Sequence, residues 1–163
     1  MLKLRELLAR LTDAGVEYVI VGGIAARLNG STLPTEDLDV CCRMTPENMA
    51  RFIAAIGDLN PVSRGDPRKI PMPRDPHVLA TYNTLLMNTD LGILDLLREI
   101  TGVGDFDAVL RESVVMEVEG RPTRALNLDA LIASKRALGH EKDKLALHYL
   151  EAAKQRRERD SRK

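Results

Sequence analysis

Two aspartates separated by one residue, Asp37 and Asp39, are the clearest candidates for chemistry in this chain. In an extended strand, residues two apart point to the same face, so their carboxylates lie side by side. Neighbouring carboxylates repel each other unless a cation lies between them. A site built only from oxygen ligands favours Mg²⁺. The pair therefore predicts a magnesium site at the start of a strand.

Two glycines, Gly22 and Gly23, follow an apolar stretch and stand where a short helix is predicted to begin. Backbone N–H groups at a helix start are free, and glycine leaves no side chain in the way of an approaching phosphate. A phosphate cradle combined with a dicarboxylate metal site is what chemistry on a nucleoside triphosphate requires.

Apolar periodicity and turn signals predict the elements that position these residues. The predicted helices are 2–14, 23–29, 46–56, 105–112, 127–138 and 141–158. The predicted strands are 17–21, 38–42 with the two acids at its start, 77–81, 84–88, 93–97, 114–118 and 121–125. Because helices and strands do not alternate regularly after residue 56, we expect an α/β fold of mixed α+β character, with a mixed sheet flanked by helices.

The length of 163 residues favours a single domain, 1–163. Its C-terminal part, from about residue 127 to residue 163, is predicted to be helical. Residues 58–76 contain five of the eight prolines and no periodicity. They predict a long loop, which is either a lid or acceptor-binding loop, or disordered.

The composition argues against a large nucleic-acid footprint, because 24 basic residues balance 24 acidic ones and only 3% are aromatic, with no Trp. The basic tail 154–163 is either a solvated helix end or an RNA contact. Cys41 and Cys42 are too close together for an ordinary disulfide. No apolar run approaches a membrane span and no signal peptide is evident, so we expect a cytoplasmic protein without a membrane partner.

The order of these features resembles a known superfamily. Val21-Gly22-Gly23, a helix and then Asp37-Leu38-Asp39-Val40 resemble the pattern of the DNA polymerase β-like nucleotidyltransferases. The stretch GGIAARLNGSTLPTEDLDV is similar to the minimal nucleotidyltransferases and the AbiEii-type toxins, as are GILDLL and LNLDALIASKRALGHEKD. The resemblance implies Mg²⁺-dependent transfer of a nucleoside monophosphate from a nucleoside triphosphate to a hydroxyl. The acceptor would be RNA, above all a tRNA end, or a protein side chain, or a small molecule such as an aminoglycoside. It also implies the toxin role, with a cognate antitoxin as partner.

By the same resemblance, Gly22 and Gly23 meet the triphosphate, and Asp37 and Asp39 hold two Mg²⁺ ions. In-line transfer places negative charge on the entering and leaving oxygens, which two metals can clamp. A third carboxylate on a later strand is expected, and Asp95 matches it best. Asp95 would bind the metal nearest the attacking hydroxyl or accept its proton.

Three further residues follow from the resemblance or compete with it. Asp90 is a rival to Asp95, although it stands in a predicted turn, where Asp is common. Lys135 resembles the phosphate-contacting lysine, and Asp143 resembles an acid that follows this lysine in AbiEii-type enzymes. Residues eight apart on a helix lie near one face, so these two converge only if Gly139 does not bend the chain.

One position departs from the family pattern. Relatives often carry an arginine in the loop before the two acids, where this chain has Leu33. Arg27 on the short helix is the residue available to substitute for it.

Two alternatives remain at this stage. One alternative is a dinucleotide-binding domain, but the third glycine of its G-x-G-x-x-G motif is absent from this chain. The ribose-binding acid of such a domain also lies at the end of the second strand, whereas Asp37 and Asp39 are at the start of theirs. A non-catalytic interaction or antitoxin protein could keep the fold, but such a protein does not require three carboxylates.

Overall fold

A computed structural model describes all residues, 1–163. They form two compact units, each built from two stretches of chain. The first unit comprises residues 1–18 and 36–98, and the second comprises residues 19–35 and 99–163.

The secondary structure consists of seven α-helices and nine strands. The helices are α1 (Leu4–Asp13), α2 (Gly22–Leu28), α3 (Pro46–Ile56), α4 (Pro76–Leu79), α5 (Phe106–Arg111), α6 (Leu128–Leu138) and α7 (Glu141–Ser161). The strands are β1 (Tyr18–Val21), β2 (Asp37–Cys42), β3 (Val62–Ser63), β4 (Thr84–Thr89), β5 (Gly92–Leu97), β6 (Glu99–Ile100), β7 (Gly104–Asp105), β8 (Ser113–Val118) and β9 (Arg121–Leu126). The strands form both parallel and antiparallel pairs and are accompanied by helices, which confirms the predicted mixed α/β fold.

In the first unit the strand order is β3-β4-β5-β2. Strands β2 and β5 run parallel, whereas β4 is antiparallel to both β5 and β3. Helix α3 packs against α1 and α4. The hydrophobic core of this unit includes Leu7, Leu8, Leu11, Leu38, Val40, Met49, Phe52, Ile56, Met87, Leu94 and Leu96.

The entry of helix α3 forms as its sequence predicts. Thr45 is the N-cap, its hydroxyl accepts the Asn48 N–H, and Pro46 occupies the first turn. Asn48 is itself buried, and its amide both donates to and accepts from the backbone of Glu17. The Asn48 amide therefore links Glu17, the residue before Tyr18, to the first turn of α3.

The prediction of a strand at 77–81 is wrong, because this stretch begins with helix α4. The Asp75 carboxylate accepts the His77 N–H at 2.9 Å, and Pro76 occupies the first helical position. An acidic N-cap followed by proline is a helix-start signal. It outweighs the apolar run that suggested a strand.

The proline-rich segment 58–76 has defined structure. It includes the end of a short 3₁₀ turn, Gly57–Leu59, and then β3. The Ser63 N–H donates to the Ile70 carbonyl at 2.8 Å, and Val62 bridges Pro71. The segment therefore turns back on itself as a small hairpin that continues the sheet of the first unit.

In the second unit the strand order is β1-β9-β8, with β1 parallel to β9 and β9 antiparallel to β8. Helix α2 contacts α6 and β9, and α6 packs along α7. The core of this unit includes Val19, Ile20, Val21, Ile24, Ala25, Leu126, Leu131, Leu150 and Ala153.

The basic end of the chain belongs to helix α7, which continues to Ser161. Arg156 donates to the Gly30 carbonyl at 2.7 Å, and Arg157 donates to the carbonyl of Asn29 at 3.3 Å. Two of the tail's arginines therefore hold the turn after α2. None of the helices combines the length and the apolarity needed to cross a membrane.

Candidate functional site

Asp37 and Asp39 lie on one face of β2, as their spacing predicts. Leu38 and Val40 alternate with them and are fully buried, whereas both aspartates are half-buried. The apolar pair anchors the strand in the core. The carboxylates are thereby held on the opposite, more accessible face.

Asp95 shares this face. Strands β2 and β5 are parallel, and Asp39 is the register partner of Asp95. Directly paired residues on neighbouring strands project to the same side. The structure therefore brings together the three acids that the sequence analysis selected.

Asp95 is much more buried than the other two, at 5% exposure, and both of its oxygens have partners. Its Oδ1 accepts the Met87 N–H at 3.3 Å, and its Oδ2 accepts from the guanidinium of Arg64. A buried carboxylate without partners costs several kcal/mol, and these two contacts offset that cost for Asp95.

Arg64 is the functional candidate that sequence reasoning missed. It follows β3, and its N–H donates to the Leu86 carbonyl at 2.8 Å, while Leu86 is the register partner of Asp95. The hydrogen bond to Asp95 raises the pKa of Arg64, and the charges of Asp95, Asp37 and Asp39 raise it further. The only signal in the sequence is the presence of three arginines, Arg64, Arg68 and Arg74, in the proline-rich segment, and nothing in their spacing identifies which one contacts an acid.

Asp90, the rival to Asp95, lies in the turn between β4 and β5. It is exposed, and its Oδ2 accepts the side-chain amide of Asn60 at 2.8 Å. Asp90 thus contacts Asn60 at the end of the 3₁₀ turn and is not the register partner of Asp39.

The carboxylate oxygens of Asp37, Asp39 and Asp95 are the type of ligand that Mg²⁺ prefers. No group of three or more His, Cys, Asp or Glu side chains is arranged to hold a metal ion, and Asp95 is engaged by Arg64. Mg²⁺, however, usually takes one or two carboxylates and completes its shell with water and substrate phosphates. Asp37 and Asp39, half-buried on one face, meet that requirement.

The local structure explains why both Gly22 and Gly23 are glycine. Gly22 has φ +64°, a left-handed conformation that glycine adopts without strain. A Cβ on Gly23 would lie 2.6 Å from the Thr35 hydroxyl oxygen. The pair is therefore required by the turn and by its packing, independently of any phosphate.

A cavity of about 170 Å³ lies beside these glycines within the second unit. It is lined by Gly22, Gly23, Ala26, Ser31, Leu33, Pro34, Thr35, Leu131, Lys135, Ala146 and Leu150. Most of this wall is aliphatic, and Lys135 is its one charged member. Leu33, at the position where the resemblance implies an arginine, is part of the apolar wall. Arg27 is exposed and is not among the lining residues.

Lys135 and Asp143 are paired, although the chain between them is not one continuous helix. Gly139 adopts a left-handed conformation that ends α6, and α7 begins at Glu141. The turn at Gly139 therefore does not carry the two residues apart. Lys135 Nζ lies 3.4 Å from the Asp143 carboxylate, whose other oxygen accepts the His140 N–H at 3.2 Å.

Comparisons by sequence identify no match, either to a family model or to a characterised protein. Solved structures do match. A candidate nucleotidyltransferase from Thermotoga maritima shares 16% identity, with a TM-score of 0.51 over 100% of this chain and 97% of that one. The lincosamide antibiotic adenylyltransferase LnuA, solved with lincomycin, shares 14% identity, with a TM-score of 0.58 over 93% of this chain and 98% of that one.

A third match is the antibiotic-resistance factor ANT(2'')-Ia, at 16% identity and a TM-score of 0.50, covering 98% of this chain and 95% of that one. The chain has a nucleotidyltransferase fold. At these identities the likeness extends to the nucleotidyltransferase fold alone, so any chemistry must be argued from the residues of this chain.

Proposed function

We propose that the chain is a Mg²⁺-dependent nucleotidyltransferase that moves a nucleoside monophosphate from a nucleoside triphosphate to a hydroxyl acceptor. One observation carries the proposal: Asp37, Asp39 and Asp95 share one face of β2 and β5 in a chain with a nucleotidyltransferase fold. Three carboxylates on one face are costly unless cations are present, and a protein that merely binds a partner gains nothing from them.

The acids of the first unit have distinct roles in this proposal. Asp37 and Asp39 hold the metal. Bound Mg²⁺ supplies Lewis-acid stabilisation of the charge on the phosphate oxygens. Asp95 accepts the proton of the attacking hydroxyl, or adds a metal ligand. The hydroxyl oxygen forms a bond to the α-phosphorus, the bond from that phosphorus to the bridging oxygen breaks, and pyrophosphate leaves.

The second unit has its own candidate phosphate-binding groups, which line its cavity. The backbone N–H groups at Gly22 and Gly23 and the ammonium of Lys135 bind phosphate oxygens. Asp143 acts through Lys135, because its buried carboxylate holds the ammonium at the edge of the cavity. The aliphatic wall, which includes Leu33, suits the sugar or base better than the triphosphate.

The acceptor and the biological role form the finer part of the proposal. The acceptor hydroxyl belongs to RNA, above all a tRNA end, to a protein side chain, or to a small molecule. The small-molecule class gains support from the names of two proteins of like fold, an antibiotic adenylyltransferase and an antibiotic-resistance factor. Action as a cytoplasmic AbiEii-type toxin, with a cognate antitoxin, rests on the sequence resemblance.

A second function is favoured by one observation. Arg64 already neutralises Asp95, as expected of a protein that keeps the fold without catalysis and serves as an interaction or antitoxin protein. Such a protein would transfer no nucleotide to any acceptor.

Transfer of label distinguishes these functions. The protein is incubated with each α-labelled nucleoside triphosphate, Mg²⁺ and, separately, total RNA, protein lysate and a panel of aminoglycosides and lincosamides. We expect label on one acceptor class, reduced on the order of 100-fold or more in Asp39→Asn, because a metal ligand contributes several kcal/mol to the transition state. Asp90→Asn, which alters an exposed turn acid, should keep wild-type transfer. Absence of both transfer and nucleotide binding would reject the proposed enzyme.

A further inference from the structure

A cation of the protein itself lies against the acid face. The Arg64 guanidinium donates to Asp95, and the charges of Asp37 and Asp39 act on it as well. It therefore satisfies the same electrostatic demand that a divalent metal would satisfy at these carboxylates.

The placement of Arg64 follows from strand register. Arg64 lies opposite Leu86 on β4, and Leu86 lies opposite Asp95 on β5, which in turn pairs with Asp39 on β2. The arginine thus belongs to the same row across the sheet as two of the acids, and it reaches Asp95 past the intervening Leu86.

The two partners differ in their freedom to move. The Asp95 side chain is 7% exposed and is also held by the Met87 N–H, whereas the Arg64 side chain is 31% exposed. The Nε of Arg64 is buried and has no hydrogen-bond partner. Arg64 is therefore the more exposed and less fully hydrogen-bonded partner, so an exchange at this pair would move Arg64 rather than Asp95.

We infer that Arg64 is an exchangeable counter-ion of the acid face: it holds Asp95 and weakens divalent-cation binding until a nucleoside triphosphate arrives with the metal. The phosphate oxygens then offer the guanidinium a charge-assisted, bidentate partner in exchange for the carboxylate. Asp95 is released to serve as base or ligand. The inference rests on the proposed function and adds a reason for metal and nucleotide to bind together.

Mn²⁺ binding, followed by electron paramagnetic resonance, tests this without an activity assay. Wild-type protein should bind Mn²⁺ weakly alone and more tightly with a non-hydrolysable nucleoside triphosphate analogue. Arg64→Met, which keeps the length and removes the charge, should bind Mn²⁺ alone about tenfold more tightly than wild type, because a competing cation has been removed. An unchanged or weaker affinity in this variant would overturn the inference.

Arg68→Met is the matched control. Arg68 lies four residues further along the same segment, is exposed, and pairs with Asp66 rather than with the acid face. Its loss should leave Mn²⁺ affinity at the wild-type value. A gain equal to that of Arg64→Met would show that general positive charge, and not the Asp95 contact, opposes the metal.

A measurement on wild-type protein covers the case in which Arg64→Met does not fold. In protein labelled with ¹⁵N-arginine, the Arg64 Nε–H resonance should shift when Mg²⁺ and the analogue are added together, and stay in place with Mg²⁺ alone. A resonance that remains unshifted with both ligands bound would contradict the exchange.

Failure of the counter-ion role and failure of the proposed function give different results. If wild-type protein binds Mn²⁺ with the analogue but Arg64→Met gains nothing without it, only the counter-ion role is wrong. If no variant binds Mn²⁺ under any condition and no label is transferred, the proposed function is wrong as well.

Discussion

Gly23 lies directly against the side chain of Thr35. A Cβ at this position would lie 2.6 Å from Thr35 Oγ1 and 2.8 Å from Thr35 Cβ, closer than real Cβ contacts. The backbone at Gly23 is ordinary helix, in contrast to the left-handed conformation of Gly22. The requirement for glycine at position 23 is therefore steric.

We expect Gly23→Ala to lower the free energy of unfolding by about 1–3 kcal/mol, the usual cost of overpacking. The measurement is urea denaturation of a double-mutant cycle with Thr35→Gly. In the Thr35→Gly background, Gly23→Ala should cost less, because the confining side chain is gone. Equal costs in both backgrounds would show that Thr35 is not the obstacle.

The junction of α6 and α7 is the element on which the nucleotide proposal depends most. Gly139 ends one helix, and Asp143 in the first turn of the next caps it through the His140 N–H. The same carboxylate, 2% exposed in its side chain, pairs with Lys135 on the other helix. One buried acid thus stabilises a helix start and positions a lysine at the cavity.

Two variants separate these roles. Lys135→Met leaves the Asp143 carboxylate buried without its cation, and we expect a loss of about 1–2 kcal/mol in the free energy of unfolding. Adding Asp143→Asn removes the orphaned charge while keeping an oxygen for the cap, so most of this stability should return. Binding of a nucleoside triphosphate analogue, measured by calorimetry, should stay weakened in both variants. Recovery of affinity together with stability would assign Lys135 a structural role only.

At the scale of the whole molecule, ligand binding should appear as thermal stabilisation. At about 100 times the dissociation constant, a ligand adds about 2.7 kcal/mol, or roughly 5–10 °C in Tm for a chain of this size. We expect this shift from Mg²⁺ together with a nucleoside triphosphate analogue, and almost none from Mg²⁺ alone, because Arg64 already neutralises Asp95.

Chelation checks this prediction. Adding EDTA to the ternary sample should return Tm to the value of the free protein, and Asp39→Asn should show no shift at any concentration. A large shift from Mg²⁺ alone in wild-type protein would contradict the expected dependence on nucleotide.

Much of the fold could be predicted from local patterns. Helix α3 begins and ends where its cap, proline and apolar spacing indicate, and the β8–β9 hairpin lies within one residue of its predicted bounds. The elements that were not predicted are short: the two-residue strands β3, β6 and β7, and α4, where a short apolar run outweighed the Asp75-Pro76 start signal. Four residues are too few for periodicity to separate a helix from a strand.

The sequence by itself determined the acid face. Asp37 and Asp39 alternate with apolar residues, and Asp95 interrupts an apolar strand. Alternation is a local property of a strand, so it places these side chains on one face in any sheet that contains the strand. Only the tertiary structure decided what lies against them. The Arg64 contact depends on the register of β3 on β4 and of β4 on β5. The contact joins residues 31 positions apart along the chain, and no spacing within either strand encodes it.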